Sequence, residues 1–324
     1  MKSKAEDIQI LLPSYNGQDY LAQQIESILA QSHEHWNLWI RDDASRDDTY
    51  VLAERFARRD GRIRLDRNPE QLGLRANLNG LLRAARQTEA QYFALSDQDD
   101  LWHPHKLTRQ FTALRALETQ LGAERPLLVH SDLQILDASN PTRRKSFWSA
   151  LRIDPGKERS LGSLPALNVV SGNSLLCNRA LLSLASPVPD EAIMHDWWFA
   201  LVAASTGRIL YLEEALVNYR RHASNLIGPK SFYAALWEGL SGDWLQPFQT
   251  TLVQSQRAYE RLQSAPIPAS PDWLDRLRSY GNLGAKTRFQ RLLLLYRKQL
   301  LPPDPLRQLV LLGKALALPR ALSP

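Results

Sequence analysis

The sequence predicts an α/β fold, with a mainly parallel sheet flanked by helices and a helical C-terminal extension. Three observations carry this. Short apolar runs alternate with segments of helical spacing over the first two thirds of the chain. Several of the apolar runs end in a cluster of polar residues. Beyond Gly228 the texture changes to helical segments separated by the proline clusters APIPASP and LPPDP. The boundary is therefore placed at 228, giving a region 1–228 and a basic helical region 229–324.

Taken in order, IQILL (8–12) is a buried strand closed by Pro13, and the loop SYNGQDY follows. Leu21, Ile25, Ile28 and Leu29 recur at helical spacing, and WNLWI is the next strand, stopping at Arg41-Asp42-Asp43. DDASRDDT offers several N-cap residues before Val51, Leu52 and Phe56, and RIRLD returns as a strand. Gly73 to Ala85 is a helix, followed by the strand YFALSD. Lys106 to Leu121 is amphipathic, LLVHSDLQIL is strand-like, and NVVSGNSLLC is an apolar run interrupted by Gly172. HDWWFALVAASTG reads as a helix with a glycine stop, and ILYL and ALVNYRRH complete the unit. Ligands of such sheets gather at the carboxyl ends of the strands, where SYNG, RDDAS and SDQDD fall.

Composition narrows the function classes. A single cysteine, Cys177, excludes a disulfide framework and favours a reducing compartment. No apolar run is long enough to span a bilayer and the N-terminal stretch has no signal-peptide core, so a cytosolic protein is expected. Of the 40 Lys and Arg, 13 lie in 229–324 against 6 acidic residues, so the basic character belongs to the tail and no nucleic-acid face is indicated on the main region.

Five constellations bear on chemistry, and each is weighed against a bland reading. Asp42-Asp43 at a strand end can accept hydrogen bonds from a base and from sugar hydroxyls, or form a helix N-cap cluster. In SDQDD, Asp97 and Asp99 can meet one hard cation beside a ligand's phosphates, or make a solvated turn with Asp100 capping the next helix. His103 and His105 have neither cysteines nor an i, i+4 partner for zinc and belong to a loop entering the next helix. Asp196 is a plain N-cap or a base beside the stacking surfaces of Trp197 and Trp198. Tyr219-Arg220-Arg221-His222 can hold a diphosphate and complete a metal shell, or be a solvated basic edge.

Together and in this order, LLPSYNG, RDDASRDDT, NLNGLL, SDQDDLW, VSGNSLL, HDWW and YRRHASN resemble the inverting glycosyltransferases of family 2, which have the GT-A (Rossmann-like) fold. The resemblance covers about residues 8 to 228, and the SDQDD, HDWW and YRRH variants look most like bacterial rhamnosyltransferases of O-antigen and cell-surface polysaccharide synthesis. It implies a nucleotide-sugar donor (a dTDP- or UDP-sugar, with dTDP-L-rhamnose favoured), a saccharide acceptor on a polyprenyl-diphosphate lipid, and Mg²⁺ or Mn²⁺. On matching positions it implies that Pro13, Ser14, Tyr15, Asp42, Asp43, Asp97 and Gly172 serve the nucleotide sugar, Asp99 and His222 the metal, and Asp196 the base. The residue chemistry itself adds Arg220 for the diphosphate and Trp197 and Trp198 for the acceptor. His195 stands where many relatives have an acidic residue. The Gln-x-x-Arg-Trp motif of processive synthases is absent, so addition of one sugar, or a few, is expected. A sugar-nucleotide pyrophosphorylase and a non-catalytic glycan- or lipid-binding protein are the rival classes; the first lacks its glycine-rich loop here, and the second has no need of both carboxylate sites.

From Lys286 onwards eight basic residues stand against one acid, Asp304, interleaved with RFQRLLLLYRKQLL and LRQLVLLGKALAL. Such stripes lie in a membrane interface, here the cytoplasmic face of the inner membrane, or pack against the core or a second subunit.

Overall fold

The structure is a computed structural model that describes residues 7–136, 145–156, 161–220 and 245–320. These pack into two units, each discontinuous in sequence. The first is drawn from 1–146, 170–188 and 208–224, the second from 147–169, 189–207 and 225–324.

The first unit is a sheet with helices. In chain order its elements are β1 (Ile8–Ser14), α1 (Leu21–Leu29), β2 (Trp36–Asp42), α2 (Thr49–Arg59), β3 (Ile63–Arg67), α3 (Leu74–Ala85), β4 (Tyr92–Leu95), β5 (Leu101–Trp102), α4 (Lys106–Leu121), β6 (Leu127–Leu136) and β7 (Lys145–Ser146). After α5 (Phe147–Leu151), which belongs to the second unit, come β8 (Leu176–Asn178), α6 (Arg179–Ala185) and, following α7 (His195–Thr206) of the second unit, β9 (Arg208–Arg220). The strand order is β3-β2-β1-β4-β8-β6-β9-β5, with β7 on β6. β1 pairs in parallel with β2 and β4, and β2 with β3, so β1 is enclosed and every one of its residues is buried.

The other half of the sheet is mixed. β8 runs antiparallel to both β4 and β6, β5 antiparallel to β9, and β9 parallel to β6. The apolar run 168–177 is therefore not one strand. A 3₁₀ turn, Gly172–Ser174, interrupts it before β8. Conversely, ILYL and ALVNYR form one strand, because the register shift against Ser131–Leu133 absorbs the exposed Glu213-Glu214 pair without ending the pairing.

The helices follow their apolar spacing. α1 buries Leu21, Gln24, Ile25 and Ile28, and α4 spans the predicted Lys106 to Leu121. α3 buries Leu78, Leu81 and Leu82 beside Asn77 and Gly80. Gly80 is demanded by a close approach, since a Cβ there would stand 2.7 Å from the Arg41 guanidinium.

The second unit is helical. α7 is apolar on nearly all sides, with Trp198 to Ala203 buried, as a core helix must be. Around it lie α8 (Gln246–Gln263), α9 (Pro271–Gly281), α10 (Arg288–Arg297) and α11 (Pro305–Ala317). Ile193 N donates to Gln254 Oε1 (2.8 Å) and Ser270 N to Ser205 O (2.8 Å), tying α7 to the C-terminal helices. Phe248, Leu252, Tyr280, Leu283, Leu295, Leu300 and Leu311 form their core. No helix among the described residues is long and apolar enough to cross a membrane.

Two buried cations are satisfied differently. Arg291 is 1% exposed and donates to five carbonyls: Leu283 (3.0 Å), Gly284 (3.0 Å), Ala315 (2.9 Å), Pro319 (3.2 Å) and Leu318. It thereby closes the end of α11, whose last carbonyls have no helical partner. Lys106 is fully buried with its Nζ 3.7 Å from the Trp102 ring centroid and no hydrogen-bond partner, and burial lowers its pKa to about 7. Arg291→Met is expected to destabilise the chain by at least about 3 kcal/mol in denaturant melts, since several buried carbonyls lose their donor. Lys106→Met is expected to stabilise it by roughly 1–3 kcal/mol at pH 7. Between pH 7 and the ordinary lysine value of 10.5 the unfolded chain holds a proton that the folded chain has released, so wild-type stability rises with pH and the gain from Lys106→Met shrinks towards pH 10.

Candidate active site

The polar loops of the first unit lie together at the carboxyl ends of β1, β2 and β4, and side chains of one loop satisfy the backbone of the next. In the loop after β1, Asn16 N donates to Ser45 Oγ (3.0 Å), Gly17 N to Thr49 Oγ1 (2.7 Å) and Gln18 N to Asp47 Oδ2 (3.2 Å). In return Arg46 N donates to Asn16 Oδ1 (3.0 Å) and Asp48 N to Gln18 Oε1 (3.0 Å). Asn16 sits at φ 46°, a left-handed conformation that asparagine tolerates. Ser14 is buried with its hydroxyl unpartnered, and its carbonyl accepts from Asp43 N (2.8 Å).

Asp42 and Asp43 are both buried and divide their work. Asp42 accepts from Ser45 N (3.0 Å) and Ser45 Oγ and pairs with Arg67 Nε (3.3 Å). Asp43 accepts from Asn68 Nδ2 (2.7 Å), Leu72 N (2.8 Å) and Gly73 N (2.7 Å), and so shapes the loop that enters α3. Asn77 completes this: it accepts from Asn68 (3.0 Å) and donates to Arg41 O (2.9 Å).

Within SDQDD the four side chains have separate fates. Asp97 and Asp99 are half-buried on the loop after β4. Gln98 turns back to the first loop, accepting from Tyr15 N (2.9 Å) and donating to Tyr15 O (2.9 Å). The amide fits only because residue 17 is glycine, where a Cβ would lie 2.4 Å from Gln98 Oε1. Asp100 is not a helix cap, since α4 starts at Lys106 with His105 before it. It is fully buried and accepts from Asn173 Nδ2 and from Arg220 N (3.2 Å), so three site segments meet on one carboxylate. Burial first, and then the charge of Asp99, raise its pKa to about 7.

Gly172 and Asn173 begin the 3₁₀ turn that faces Asp100, and Asn173 Oδ1 is buried without a partner. Arg220 ends β9, its guanidinium bonded to Gln23 and 5.7 Å from the Tyr20 ring centroid. His103 and His105 sit in the loop before α4, as expected; among the described residues no three His, Cys, Asp or Glu are grouped to hold a metal. His222 lies outside the described residues.

Asp196, Trp197 and Trp198 belong to the second unit, at the start of α7. Asp196 is 9% exposed, and its Oδ1 accepts from Trp197 N (2.6 Å) and Asn168 Nδ2 (3.2 Å). Burial lowers the pKa of His195, with the Asp196 charge opposing. Trp197 is half-buried, its indole donating to Leu164 O (2.7 Å). Trp198 is 0% exposed, so its indole, expected to face an acceptor, is instead enclosed by protein.

Gln98, Gly17, Asp100 and Asn173 were not singled out from the sequence. Their partners lie 73 to 120 residues away, and the one sequence-level hint is that each stands inside or beside a motif.

Residues 9–123 match the family model described as Glycosyl transferase family 2. Among curated proteins, TuaG of Bacillus subtilis, named for teichuronic acid biosynthesis, is 34% identical over 103 residues, 32% of this chain and 40% of TuaG. The Escherichia coli UDP-Glc:alpha-D-GlcNAc-diphosphoundecaprenol beta-1,3-glucosyltransferase WfgD is 32% identical over 107 residues, 33% of this chain and 40% of WfgD. The chain thus spans about two fifths of the length of each of these relatives. Among solved structures, S. aureus TarS aligns with TM-score 0.55 at 12% identity over 95% of this chain and 89% of that one. The mannosyltransferase PcManGT from Pyrobaculum calidifontis, in complex with GDP-Man and Mn²⁺, aligns with TM-score 0.54 at 17% identity over 96% of this chain and 80% of that one. The fold is the GT-A α/β fold.

Gly17→Ala is expected to displace Gln98 from Tyr15 and destabilise the chain by about 1 kcal/mol in denaturant melts, as Gln98→Ala does alone. The double variant is expected to be no worse than either single one; additive losses would show that the two residues do not act through one contact.

Proposed function

We propose that the protein is an inverting glycosyltransferase that moves a sugar from a nucleoside-diphosphate donor to a saccharide hydroxyl, in the synthesis of a bacterial cell-surface polysaccharide. The observation that carries this is the gathering, at the carboxyl ends of β1, β2 and β4, of Ser14, Tyr15, Asp42, Asp97 and Asp99 on loops locked by side-chain hydrogen bonds. The family 2 match over 9–123 covers that part of the chain. The motif resemblance favours dTDP-L-rhamnose as donor, and the name of WfgD favours an acceptor carried on diphosphoundecaprenol.

Pro13, Ser14 and Tyr15 belong to the nucleotide side, where the half-buried Tyr15 is the most accessible of the three. Asp42 meets the base; Asp43, already holding three N–H groups, shapes the loop beside it. Gly172 keeps the turn narrow where donor sugar and acceptor meet, and Arg220 adds positive charge near the diphosphate. Asp97 and Asp99 are hard oxygen donors of a number that suits Mg²⁺ or Mn²⁺, which keeps places for water and substrate phosphate. A cation bound there would neutralise charge on the departing diphosphate, and the motif resemblance adds His222, which lies outside the described residues, to its ligands.

Asp196 takes the proton from the acceptor hydroxyl, whose oxygen attacks the anomeric carbon as the bond to the β-phosphate oxygen breaks. One carboxylate acting on the face opposite the leaving group gives inversion. The backbone N–H of Trp197 and the Asn168 amide hold Asp196 in place. Trp197 offers its ring to the acceptor sugar.

The second unit also supports peripheral contact with a membrane. Phe289 and Tyr296 recur at i, i+7 on α10, and Leu309 and Leu316 on α11, all exposed and accompanied by Lys286, Arg288 and Arg297.

Asp99→Ala is expected to abolish Mg²⁺- or Mn²⁺-stimulated donor hydrolysis; parental activity in this variant would remove Asp99 from the metal site. Asp196→Asn is expected to keep donor affinity and lower transfer to acceptor by at least about a thousandfold, and unchanged transfer would remove it as the base.

A further inference from the structure

The second unit contains a cavity of about 400 Å³ that none of the roles above uses. Small-molecule sites have volumes of this order. One wall is α11, which presents Arg307, Val310, Leu311 and Lys314 at i, i+3, i+4 and i+7, a single helical face. Phe248 of α8 and Trp197, the residue after Asp196, belong to the other walls. The cavity is thus an apolar trough with a cation at each end of its helical wall, about 10 Å apart along the axis.

The two cations differ. Arg307 donates to Leu151 O (2.6 Å) and lies among the charges of Asp304 and Arg152. Lys314 is half-buried, and its ammonium has no carboxylate or carbonyl partner among the described residues. Burial alone lowers its pKa. A partly desolvated ammonium at the end of an apolar trough is complementary to an amphiphile that brings both an anion and a hydrocarbon chain.

We propose that this cavity binds the phosphate end of a prenyl lipid, with the first isoprenoid units along Val310, Leu311 and Phe248 and the phosphate at Lys314. The inference rests on the acceptor reading above and specifies where the acceptor's carrier is held. Trp197 gives the reason for the location, because one of its faces lines the cavity and it follows Asp196 in the chain.

The test is calorimetric titration of the full chain with farnesyl diphosphate, farnesol and inorganic diphosphate, with excess UDP present so that a diphosphate does not enter the donor loops. Farnesyl diphosphate is expected to bind at least tenfold more tightly than either fragment. Lys314→Ala, which removes the charge, and Val310→Trp, which fills the trough, are each expected to weaken it at least tenfold, with circular dichroism melts reporting that the variants are folded. Equal affinity for farnesol would overturn the anion site, and equal affinity for diphosphate the apolar one. Unweakened binding by folded Lys314→Ala would place the lipid elsewhere. Donor hydrolysis by the parent chain separates the two ideas: hydrolysis without prenyl binding sinks only the cavity, whereas prenyl binding without hydrolysis sinks the transferase reading and leaves a lipid-phosphate site.

Discussion

Loops at the carboxyl ends of parallel strands have no ladder to satisfy their backbone groups, and in this protein neighbouring side chains do so instead. Gln98 binds both backbone atoms of Tyr15, Asp43 takes three N–H groups of the 68–73 loop, and Ser45, Asp47 and Thr49 accept from consecutive residues 16 to 18. Each bond is worth about 0.5–1.5 kcal/mol net, rising to 1.5–3 where a carboxylate accepts. Their joint effect is geometric: the half-buried Asp97 and Asp99 stand on a loop whose position is fixed by its neighbours. On the nucleotide-sugar reading proposed above, such prior ordering favours binding, because less freedom is lost when the ligand is held.

Asp100 extends the same device below the surface. Its carboxylate joins the loop after β4 to the Gly172–Ser174 turn and to the end of β9. Burial and the adjacent Asp99 disfavour its charge, while hydrogen bonds from Asn173 and the Arg220 backbone favour it. A neighbouring pair of acids is thereby split by environment alone: Asp99 stays half-buried on the loop, while the buried Asp100 holds segments together.

The second unit shows the opposite economy in its cations. Arg291 spends all its donors on carbonyls at helix ends and is structural. Lys314, on a helix that buries Leu311 and Ala315 in a core, has no carboxylate or carbonyl partner for its ammonium among the described residues. Leucines that read in the sequence as one membrane-facing or core-facing stripe are in fact divided: Leu295 and Leu311 are core, Leu309 and Leu316 are exposed.

The sequence by itself determined the parallel half of the sheet, the helices α1 to α4 and the placing of SYNG, RDDAS and SDQDD at strand ends, because hydrophobic periodicity and turn residues are local signals. It also singled out Asp42, Asp97 and Asp99 as candidates, since each stands within a short motif at a strand end. What only the tertiary structure decided is how those polar residues are used. Asp42 and Asp43 are both buried and differ only in their partners, whereas Asp100 differs from the half-buried Asp97 and Asp99 in burial and in holding a backbone group 120 residues away. The same holds for Trp198, whose helix is enclosed on the side that its neighbour Trp197 leaves half open. The reversal of β8, the continuity of β9 and the grouping of α7 with the C-terminal helices are likewise pairings between distant segments, for which no local spacing carries a signal.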